Sequence, residues 1–235
     1  MDYQGLSFPE AVELLAQRAH IPMPEIKDRK GDTQDQDTKK LMVKVNKYVA
    51  SLYARNLQNK NDDHPVKQYL AKRGLSPEII EAFKVGYSEP GWQDLVNVLR
   101  RAKAPLPMAE QVGLIKKKQN NTDYFDLFRD RLMFPIIAPT GDVLGFGGRS
   151  LGEQQPKYLN SPESPVFHKG RTLYGLHVTA KHIRAQDEAF VVEGYMDLVT
   201  LYQFGIQNVV ATLGTAFTAD HAKNLKRLCT KVICL

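Results

Sequence analysis

The fold of this chain is decided by the stretch AFVVEGYMD, which occupies residues 189–197. Its apolar first half has the composition of a buried strand, and the run LVTLYQF at residues 198–204 is typical of a helix. Two further apolar runs, at residues 208–212 and 231–235, have the composition of strands. We therefore expect a mainly parallel sheet with crossover helices at this end of the chain.

Two carboxylates stand where the first of these strands ends. Glu193 follows the strand, and Asp197 comes four residues later, on the first turn of the expected helix. Open α/β sheets place ligand sites at this end of their strands, and Gly194 allows a tight turn there. Two carboxylates beside such a turn suit Mg²⁺, which takes one or two carboxylates plus phosphate oxygens. The alternative for Asp197 is an ordinary aspartate at a helix N-terminus, stabilised by the helix dipole.

The N-terminal half has a helical character. The sequence SFPE at residues 7–10 has the form of a capping box and predicts a helix to about residue 19. The polar segment at residues 22–40 is typical of a flexible linker. Further helices are predicted at residues 39–58, 65–73, 77–83 and 92–101.

A hairpin is predicted where the chain changes character. Residues 131–137 and 143–146 have the composition of its two strands, and PTGD at residues 139–142 is the turn. Pro135 within the first strand favours an edge position or a local irregularity. Residues 147–171 are rich in Gly, Pro and basic residues, which fits either an ordered phosphate-contacting surface or a solvated basic loop.

Composition limits the classes of protein. The net charge of +6 is a weak indication of a polyanionic partner. No apolar run is long enough to cross a membrane, and the acidic, polar start is unlike a signal peptide. The two cysteines, which lack a metal-ligand spacing, fit a reducing cytosol. We expect a cytoplasmic protein without a membrane partner.

Five motifs in order carry a family resemblance: RLMFPI (131–136), GFGGR (145–149), PKYLNSP (156–162), FHKGR (167–171) and VEGYMD (192–197). Together they resemble the motif series of bacterial DNA primases of the DnaG type. The last motif resembles the Toprim fold, which type IA and type II topoisomerases share. Residues 2–8, 69–75 and 90–92 are also similar to family motifs.

The resemblance implies a fold and a domain organisation. The fold class is α/β: a mixed α+β N-terminal subdomain followed by a partial, Rossmann-like Toprim sheet. Residues 1–40 would form an N-terminal helix and polar linker, residues 41–183 the N-terminal subdomain of the primase core, and residues 188–235 a truncated Toprim domain. The family also has an N-terminal zinc-binding domain and an Asp-x-Asp pair after the third Toprim strand, and neither lies in these 235 residues. We therefore expect a piece of a larger primase that is inactive alone, with zinc bound only in the N-terminal domain of the parent protein.

The resemblance also implies a reaction and a site. The reaction is template-directed synthesis of short RNA primers on single-stranded DNA during replication, by nucleotidyl transfer dependent on Mg²⁺ (or Mn²⁺). Glu193 and Asp197 are the implied catalytic and metal-binding residues. The implied nucleotide- or DNA-binding residues line a groove beside them: Arg73, Arg149, Lys157, Asn160, Lys169 and Arg131. For Arg131, an ion pair with Asp126 or Asp130 is an equal alternative.

The expected partners are the single-stranded DNA template, ribonucleoside triphosphates and the RNA primer. A replicative helicase and a single-stranded DNA-binding protein are expected to bind through a C-terminal region outside these residues. Two alternatives remain open: another Toprim enzyme, such as a topoisomerase or nuclease, and a single-stranded DNA-binding module without chemistry of its own. Tyr158 could stack on bases, whereas core packing is favoured for Trp92.

Overall fold

The computed structural model describes residues 30–119 and 123–235, together with one helical position at Ala16. Apart from Ala16, the helix predicted for residues 7–19 lies outside the described residues, as does the first part of the predicted linker, residues 22–29. Within the described ranges, no helix has both the length and the apolar composition needed to cross a membrane.

The first described helix, α1, corrects the predicted linker. It runs from Lys30 to Gln58, so residues 30–40 are helical rather than a flexible connection. Its later turns are anchored because Val49 is fully buried in the core. Helix formation is cooperative, so an anchored helix extends through polar residues at little cost. One ion pair at the i,i+4 spacing lies in the extension, with Asp35 Oδ2 and Lys39 Nζ 3.8 Å apart.

The N-terminal subdomain adds short helices around an antiparallel sheet. Its remaining elements are α2 (Pro65–Lys72), α3 (Pro77–Ala82), β1 (Gly86–Ser88), α4 (Asp94–Arg101), α5 (Leu106–Gln111), β2 (Ile115–Lys117), β3 (Tyr124–Asp126), β4 (Arg131–Ile137), β5 (Val143–Ser150) and β6 (Tyr158–Asn160). The main sheet has the order β1-β4-β5-β6, and β2 pairs with β3 separately. The helices predicted at residues 65–73, 77–83 and 92–101 are confirmed within two residues at their ends, and the hairpin is confirmed with a second strand that runs on to Ser150.

Of the two alternatives predicted for Pro135, the edge position is not observed, because β4 lies inside the sheet between β1 and β5. On the β5 side, Pro135 is paired with Phe146. On the other side, β1 pairs only as far as Met133. Pro135 thus lies where β4 no longer pairs with β1, so its missing N–H breaks no ladder bond. The predicted irregularity is present next to it, as a register shift between Ile136 and Ile137.

Helix α1 packs directly on this sheet. The Asn46 side-chain amide donates to the Leu144 carbonyl oxygen of β5 at 2.9 Å. The backbones approach closely at Gly86 of β1, where an added Cβ would lie 2.6 Å from the Tyr53 carbonyl carbon. The helix therefore covers β1 and β5 together.

The C-terminal unit is the predicted parallel sheet with crossover helices. Its elements are α6 (Leu176–Gln186), β7 (Glu188–Val192), α7 (Tyr195–Gln203), β8 (Val209–Ala211), α8 (Ala219–Lys226) and β9 (Lys231–Cys234). The strand order is β8-β7-β9, and both pairings are parallel. The fold class predicted from the sequence is confirmed.

The two units share one hydrophobic core. Buried side chains from both units form one cluster, including Phe83, Leu132, Phe134, Tyr174, Val192, Tyr195, Leu198 and Val209. Tyr174, in the loop before α6, exchanges two backbone hydrogen bonds of 2.9 and 3.2 Å with Ala211 of β8, and its ring meets that of Phe134 of β4 with centroids 6.2 Å apart. The C-terminal end of the parallel sheet is thereby fixed against the antiparallel sheet.

Candidate active site

An acidic turn forms where β7 ends. Glu193 is exposed directly after the strand, and Gly194 is the N-cap of α7. Asp197 lies in the first turn of that helix and is also exposed. An added Cβ on Gly194 would lie 2.7 Å from Asp197 Oδ2, so the Asp197 carboxylate folds back against the turn. Both carboxylates therefore belong to one edge of the parallel sheet, where the helix N-terminus favours negative charge.

A guanidinium flanked by aromatic rings lies on the neighbouring hairpin. Arg149 of β5 is 7% exposed. Its Cζ lies 4.2 Å from the ring centroid of Tyr69 and 5.9 Å from that of Tyr158. One nitrogen, Nη1, donates to the Ser150 carbonyl oxygen at 3.1 Å, while Nε has no hydrogen-bond partner among the described residues. Arg149 thus holds a fixed positive charge with donor capacity left over.

Tyr158 lies near both the Arg149 guanidinium and the acidic turn. Burial raises the pKa of the Tyr158 hydroxyl, the Arg149 guanidinium opposes that shift, and the Asp197 carboxylate adds to it. The phenol therefore lies within electrostatic reach of both charges. The ring centroids of Tyr158 and Tyr195 lie 6.5 Å apart, so the hairpin formed by β5 and β6 approaches the acidic turn at this side chain.

Asn160 already has partners at both ends of its side-chain amide. Its Oδ1 accepts from the Tyr195 hydroxyl at 2.6 Å, and its Nδ2 donates to the Leu213 carbonyl oxygen at 2.7 Å. A second lone pair and a second N–H remain on the amide. The predicted contact of Asn160 with sugar or phosphate stays a prediction, and the structure gives this residue a bridging role in addition.

Arg131 lies beneath the loop that joins β5 to β6 (residues 151–157, hereafter the hairpin loop) rather than on its surface. It is 4% exposed, and Nη1 donates to the carbonyl oxygens of Gly148 at 3.2 Å and Pro156 at 2.9 Å. Burial lowers its pKa. The guanidinium therefore supports the backbone that presents Lys157, and its contact with nucleic acid stays a prediction.

The alternative of an ion pair for Arg131 is not what the structure shows. The Asp126 carboxylate accepts from the backbone N–H groups of Leu95 and Val96, at 2.7 and 3.0 Å. The Asp130 carboxylate accepts from the Tyr87 hydroxyl at 2.8 Å. Both carboxylates are engaged in hydrogen bonds with other residues.

The remaining predicted cations lie in three places. Lys157 is exposed on the loop before β6. Arg73 is exposed after α2, with its Cζ 5.3 Å from the Tyr69 ring centroid. Lys169 is half-buried on a separate loop, where its backbone N–H donates to Glu163 Oε1 at 2.9 Å. Tyr69 thus brings Arg73 and Arg149 to one surface.

The loop that carries Lys169 is held by α8. His221 is buried and accepts at Nδ1 from the Thr218 N–H, so its Nε2 is the donor to the Lys169 carbonyl oxygen at 2.8 Å. The Thr218 hydroxyl donates to the Gly170 carbonyl oxygen at 2.6 Å. Helix α8 therefore fixes the position of this cation relative to the parallel sheet.

Trp92 corrects the prediction of core packing. The side chain is 63% exposed, and the Arg129 guanidinium lies 3.9 Å from its ring centroid. Arg129 also donates through Nη1 to the Asp126 carbonyl oxygen, which holds the guanidinium over the ring. Trp92 lies just before α4, so no helical or strand period could place its side chain.

The donors available for a cation are two carboxylates. The described residues contain no group of three or more His, Cys, Asp or Glu side chains that could hold a metal ion. Glu193 and Asp197 offer only hard oxygen ligands, which suit Mg²⁺ or Mn²⁺ if phosphate oxygens and water complete the coordination.

The sequence predicts no role for Tyr69 or Tyr195, although both lie inside the family motifs. Tyr195 stands between the two acidic residues in the chain. That position is the one signal that could have drawn attention to it. The contacts of Tyr69 with Arg149 and of Tyr195 with Asn160 are long-range, so the sequence carries no local sign of them.

Comparison with known families gives two matches. The family described as the DNA primase catalytic core, N-terminal domain, matches residues 52–180. The Toprim domain family matches residues 187–235.

Curated relatives are DNA primases. The DNA primase of Pseudomonas putida KT2440 is 41% identical over 233 residues, which cover 99% of this chain and 35% of the relative. That of Escherichia coli K12 is 40% identical over 242 residues, which cover 100% of this chain and 40% of the relative. The chain thus spans two fifths or less of the length of these relatives.

Solved structures agree with the sequence matches. A DnaG primase catalytic domain bound to single-stranded DNA has a TM-score of 0.77 and 40% identity, covering 85% of this chain and 64% of that one. The zinc-binding and RNA polymerase domains of the Aquifex aeolicus primase have a TM-score of 0.77 and 34% identity. The match covers 99% of this chain and 55% of that one.

The supporting role of Arg131 can be tested by stability. We expect Arg131→Met to lower the free energy of unfolding by about 2 kcal/mol, because buried carbonyl groups lose a charged donor. Lys157→Met, which changes the same charge on an exposed side chain, should stay within about 0.5 kcal/mol of the parent. Urea unfolding of residues 1–235 measures both. Equal effects of the two substitutions would contradict the assignment.

Proposed function

Because the chain belongs to the family of bacterial DNA primases of the DnaG type, we propose that its gene product synthesises short RNA primers on single-stranded DNA. The domain boundaries proposed with it are residues 1–40, 41–183 and 188–235, with α1 continuous across the first boundary and α6 packed on β7 and β8 of the C-terminal unit. The observation that carries it is the approach of the acidic turn to a hairpin that bears cations: Tyr195 of the turn donates to Asn160 of β6 at 2.6 Å, and its ring centroid lies 6.5 Å from that of Tyr158.

The reaction is a nucleotidyl transfer. The 3′-hydroxyl of one ribonucleotide attacks the α-phosphate of a triphosphate, a new phosphodiester bond forms, and pyrophosphate leaves. Little covalent chemistry is required of the protein, so positioning and charge neutralisation supply most of the rate enhancement. A site with carboxylates on one side and cations on the other can do both.

Toprim domains and primases generally use divalent metal ions, and we assign Mg²⁺, with Mn²⁺ as a substitute, to Glu193 and Asp197. Bound there, the ion would supply charge neutralisation at the reacting phosphate. Both side chains are exposed, so they are open to a phosphate ligand arriving from solvent. Their hard oxygen donors fit this class of ion.

The cations hold the phosphates. Lys157 and Arg73 are exposed and can follow flexible template or triphosphate groups. Arg149 is 7% exposed and lies beside two aromatic rings, so it contributes a positive charge that is fixed in place. Lys169 contributes from the loop held by α8. Arg131 supports this surface from beneath the loop.

Bases of the template can be held away from this cluster. Trp92 offers an exposed aromatic ring, one face of which is covered by the Arg129 guanidinium. Such a pair binds unpaired bases without sequence preference, through stacking and charge. Tyr158, which is 39% exposed, is a second such face beside the acidic turn.

The two alternative functions are less well supported. A topoisomerase or nuclease would share the Toprim part alone, whereas the primase match extends over residues 52–180. A DNA-binding module without chemistry would not need the acidic turn.

The proposed place of action is the replication fork in the bacterial cytoplasm. Contacts with a replicative helicase and a single-stranded DNA-binding protein remain predictions that no described residue supports.

The catalytic assignment predicts a loss of synthesis. In the complete gene product, we expect Glu193→Gln to abolish Mg²⁺-dependent primer synthesis while single-stranded DNA still binds, because the amide keeps the size but loses the charge. Asp197→Asn should reduce synthesis less, or change its dependence on Mg²⁺. Primer length and yield on a single-stranded template, with binding measured in parallel, test this.

Residues 1–235 alone should be inactive, since the two carboxylates of the described ranges leave the metal with few protein ligands.

Full synthesis by the Glu193→Gln variant would refute the site. Glu81→Gln is a matched control, because Glu81 is an exposed glutamate of α3 and belongs to neither the acidic turn nor the hairpin. It should leave synthesis unchanged.

The cation assignment predicts a change in salt dependence. Single-stranded DNA affinity should fall with salt, because each phosphate contact releases counterions. In the Lys157→Ala/Lys169→Ala variant, the slope of log K against log[salt] should become shallower by about 0.7 for each phosphate that is no longer neutralised, or about 1.4 in all. Fluorescence anisotropy of a labelled oligonucleotide measures the slope.

The matched control is Lys47→Ala/Lys84→Ala, which removes the same charge from exposed lysines of α1 and of the turn after α3. Its slope should equal that of the parent. If both double variants change the slope equally, DNA binding depends on net charge rather than on Lys157 and Lys169.

A further inference from the structure

We propose that Tyr195 is a positioning residue, which fixes the acidic turn against the cation-bearing hairpin through the side chain of Asn160. The structural part of this inference rests on contacts within the described residues. Its catalytic part rests on the proposed function.

The ring of Tyr195 has little freedom. Tyr195 is the first residue of α7, between Glu193 and Asp197, and is 3% exposed. Its ring stacks on Phe134 with centroids 5.1 Å apart and planes at 14°, and meets the edge of Tyr174 at 4.7 Å. A ring held on two sides points its hydroxyl in one direction.

The space for that hydroxyl exists because residue 147 is a glycine. An added Cβ on Gly147 would lie 2.5 Å from Cε2 of Tyr195, and closer still to Cζ and the hydroxyl oxygen. Gly147 is paired with Asn160 in the register of β5 and β6. The ring therefore reaches across β5 and meets the Asn160 side chain.

One amide then links three segments. The Tyr195 hydroxyl donates to Asn160 Oδ1 at 2.6 Å, and Asn160 Nδ2 donates to the Leu213 carbonyl oxygen at 2.7 Å. Asn160 belongs to β6, which also carries Tyr158, and Leu213 lies in the loop after β8. These two hydrogen bonds tie the hairpin, the acidic turn and the end of the parallel sheet to each other.

The consequence is a fixed distance between unlike charges. The two carboxylates lie on the acidic turn, which also contains Tyr195. Lys157 lies directly before β6, the strand that ends at Asn160. Phosphoryl transfer depends on close positioning of the reacting groups, so freeing one segment should slow the chemical step more than it weakens binding. A role in stability alone would lower the melting temperature and leave the turnover of folded enzyme unchanged.

Tyr174 provides the matched control. It lies in the same aromatic cluster and is fully buried, but its hydroxyl has no hydrogen-bond partner among the described residues. Tyr195→Phe and Tyr174→Phe each remove one buried hydroxyl and keep the ring packing. Only the first breaks the link to Asn160.

The functional test uses the complete gene product. We expect Tyr195→Phe to lower kcat for primer synthesis by about tenfold or more, with little change in KM for nucleotides or in DNA affinity. Tyr174→Phe should behave as the parent. Combining Tyr195→Phe with Asn160→Leu should cost no more than the larger single effect, because both remove the same link. Additive effects on kcat, or equal kcat values for the two Phe variants, would overturn the positioning role.

A second measurement does not depend on synthesis. Hydrogen exchange in residues 1–235, followed by NMR, should be faster in Tyr195→Phe at the Asn160 side-chain amide and at the backbone amides of residues 212–214. Tyr174→Phe should leave it unchanged. Unchanged exchange in Tyr195→Phe would overturn the link itself. If exchange rises but the parent enzyme makes no primers, the proposed function fails while the link stands. If exchange rises and kcat is unchanged, the catalytic part is wrong.

Discussion

The rest of the structure depends on the close approach of the Tyr195 ring to the backbone of Gly147. Any side chain on residue 147 would fill the space that the ring occupies. Through this contact, the parallel sheet packs on the antiparallel one, with Phe134 and Tyr174 completing the aromatic cluster. The acidic turn and the basic hairpin belong to different units. Neither unit alone contains the proposed site, which depends on the packing between them.

Chemically similar side chains do different things within one hairpin. Arg131 and Arg149 lie on paired strands, and both are buried. Arg131 satisfies backbone carbonyl groups of the loop, so its charge is used in the structure. Arg149 lies between aromatic rings with one N–H unpaired among the described residues. The difference comes from what surrounds each guanidinium.

Much of the fold could be predicted from local pattern. The apolar runs of the parallel sheet, the hairpin and most helices have their composition or turn signals nearby in the chain. The errors come from tertiary context. Residues 30–40 are polar yet helical, because they extend a helix anchored further along. Pro135 is tolerated inside the sheet because the neighbouring strand is short, which no property of β4 reveals.

The proposed site was also predictable only where local sequence patterns locate its residues. Glu193 and Asp197 lie next to a strand end, so their shared edge follows from the sequence. Tyr69 contributes to the site only through its contacts with Arg149, which is distant in the chain, and with Arg73, which is exposed. Trp92 is exposed in a loop, where periodicity carries no information. Chain-local patterns locate the carboxylates, whereas three-dimensional packing selects the side chains that face them.

The central claim is that the acidic turn and the hairpin loop hold one metal–nucleotide site. Paramagnetic broadening of NMR signals by Mn²⁺ with a ribonucleoside triphosphate, in residues 1–235, tests it most directly. We expect the backbone amide signals of Gly194 and Lys157 to broaden together. The signal of Gly141, in the turn between β4 and β5 at the opposite end of β5, should stay sharp. Broadening at Gly141 as strong as at Gly194, or at Gly194 without Lys157, would contradict the claim.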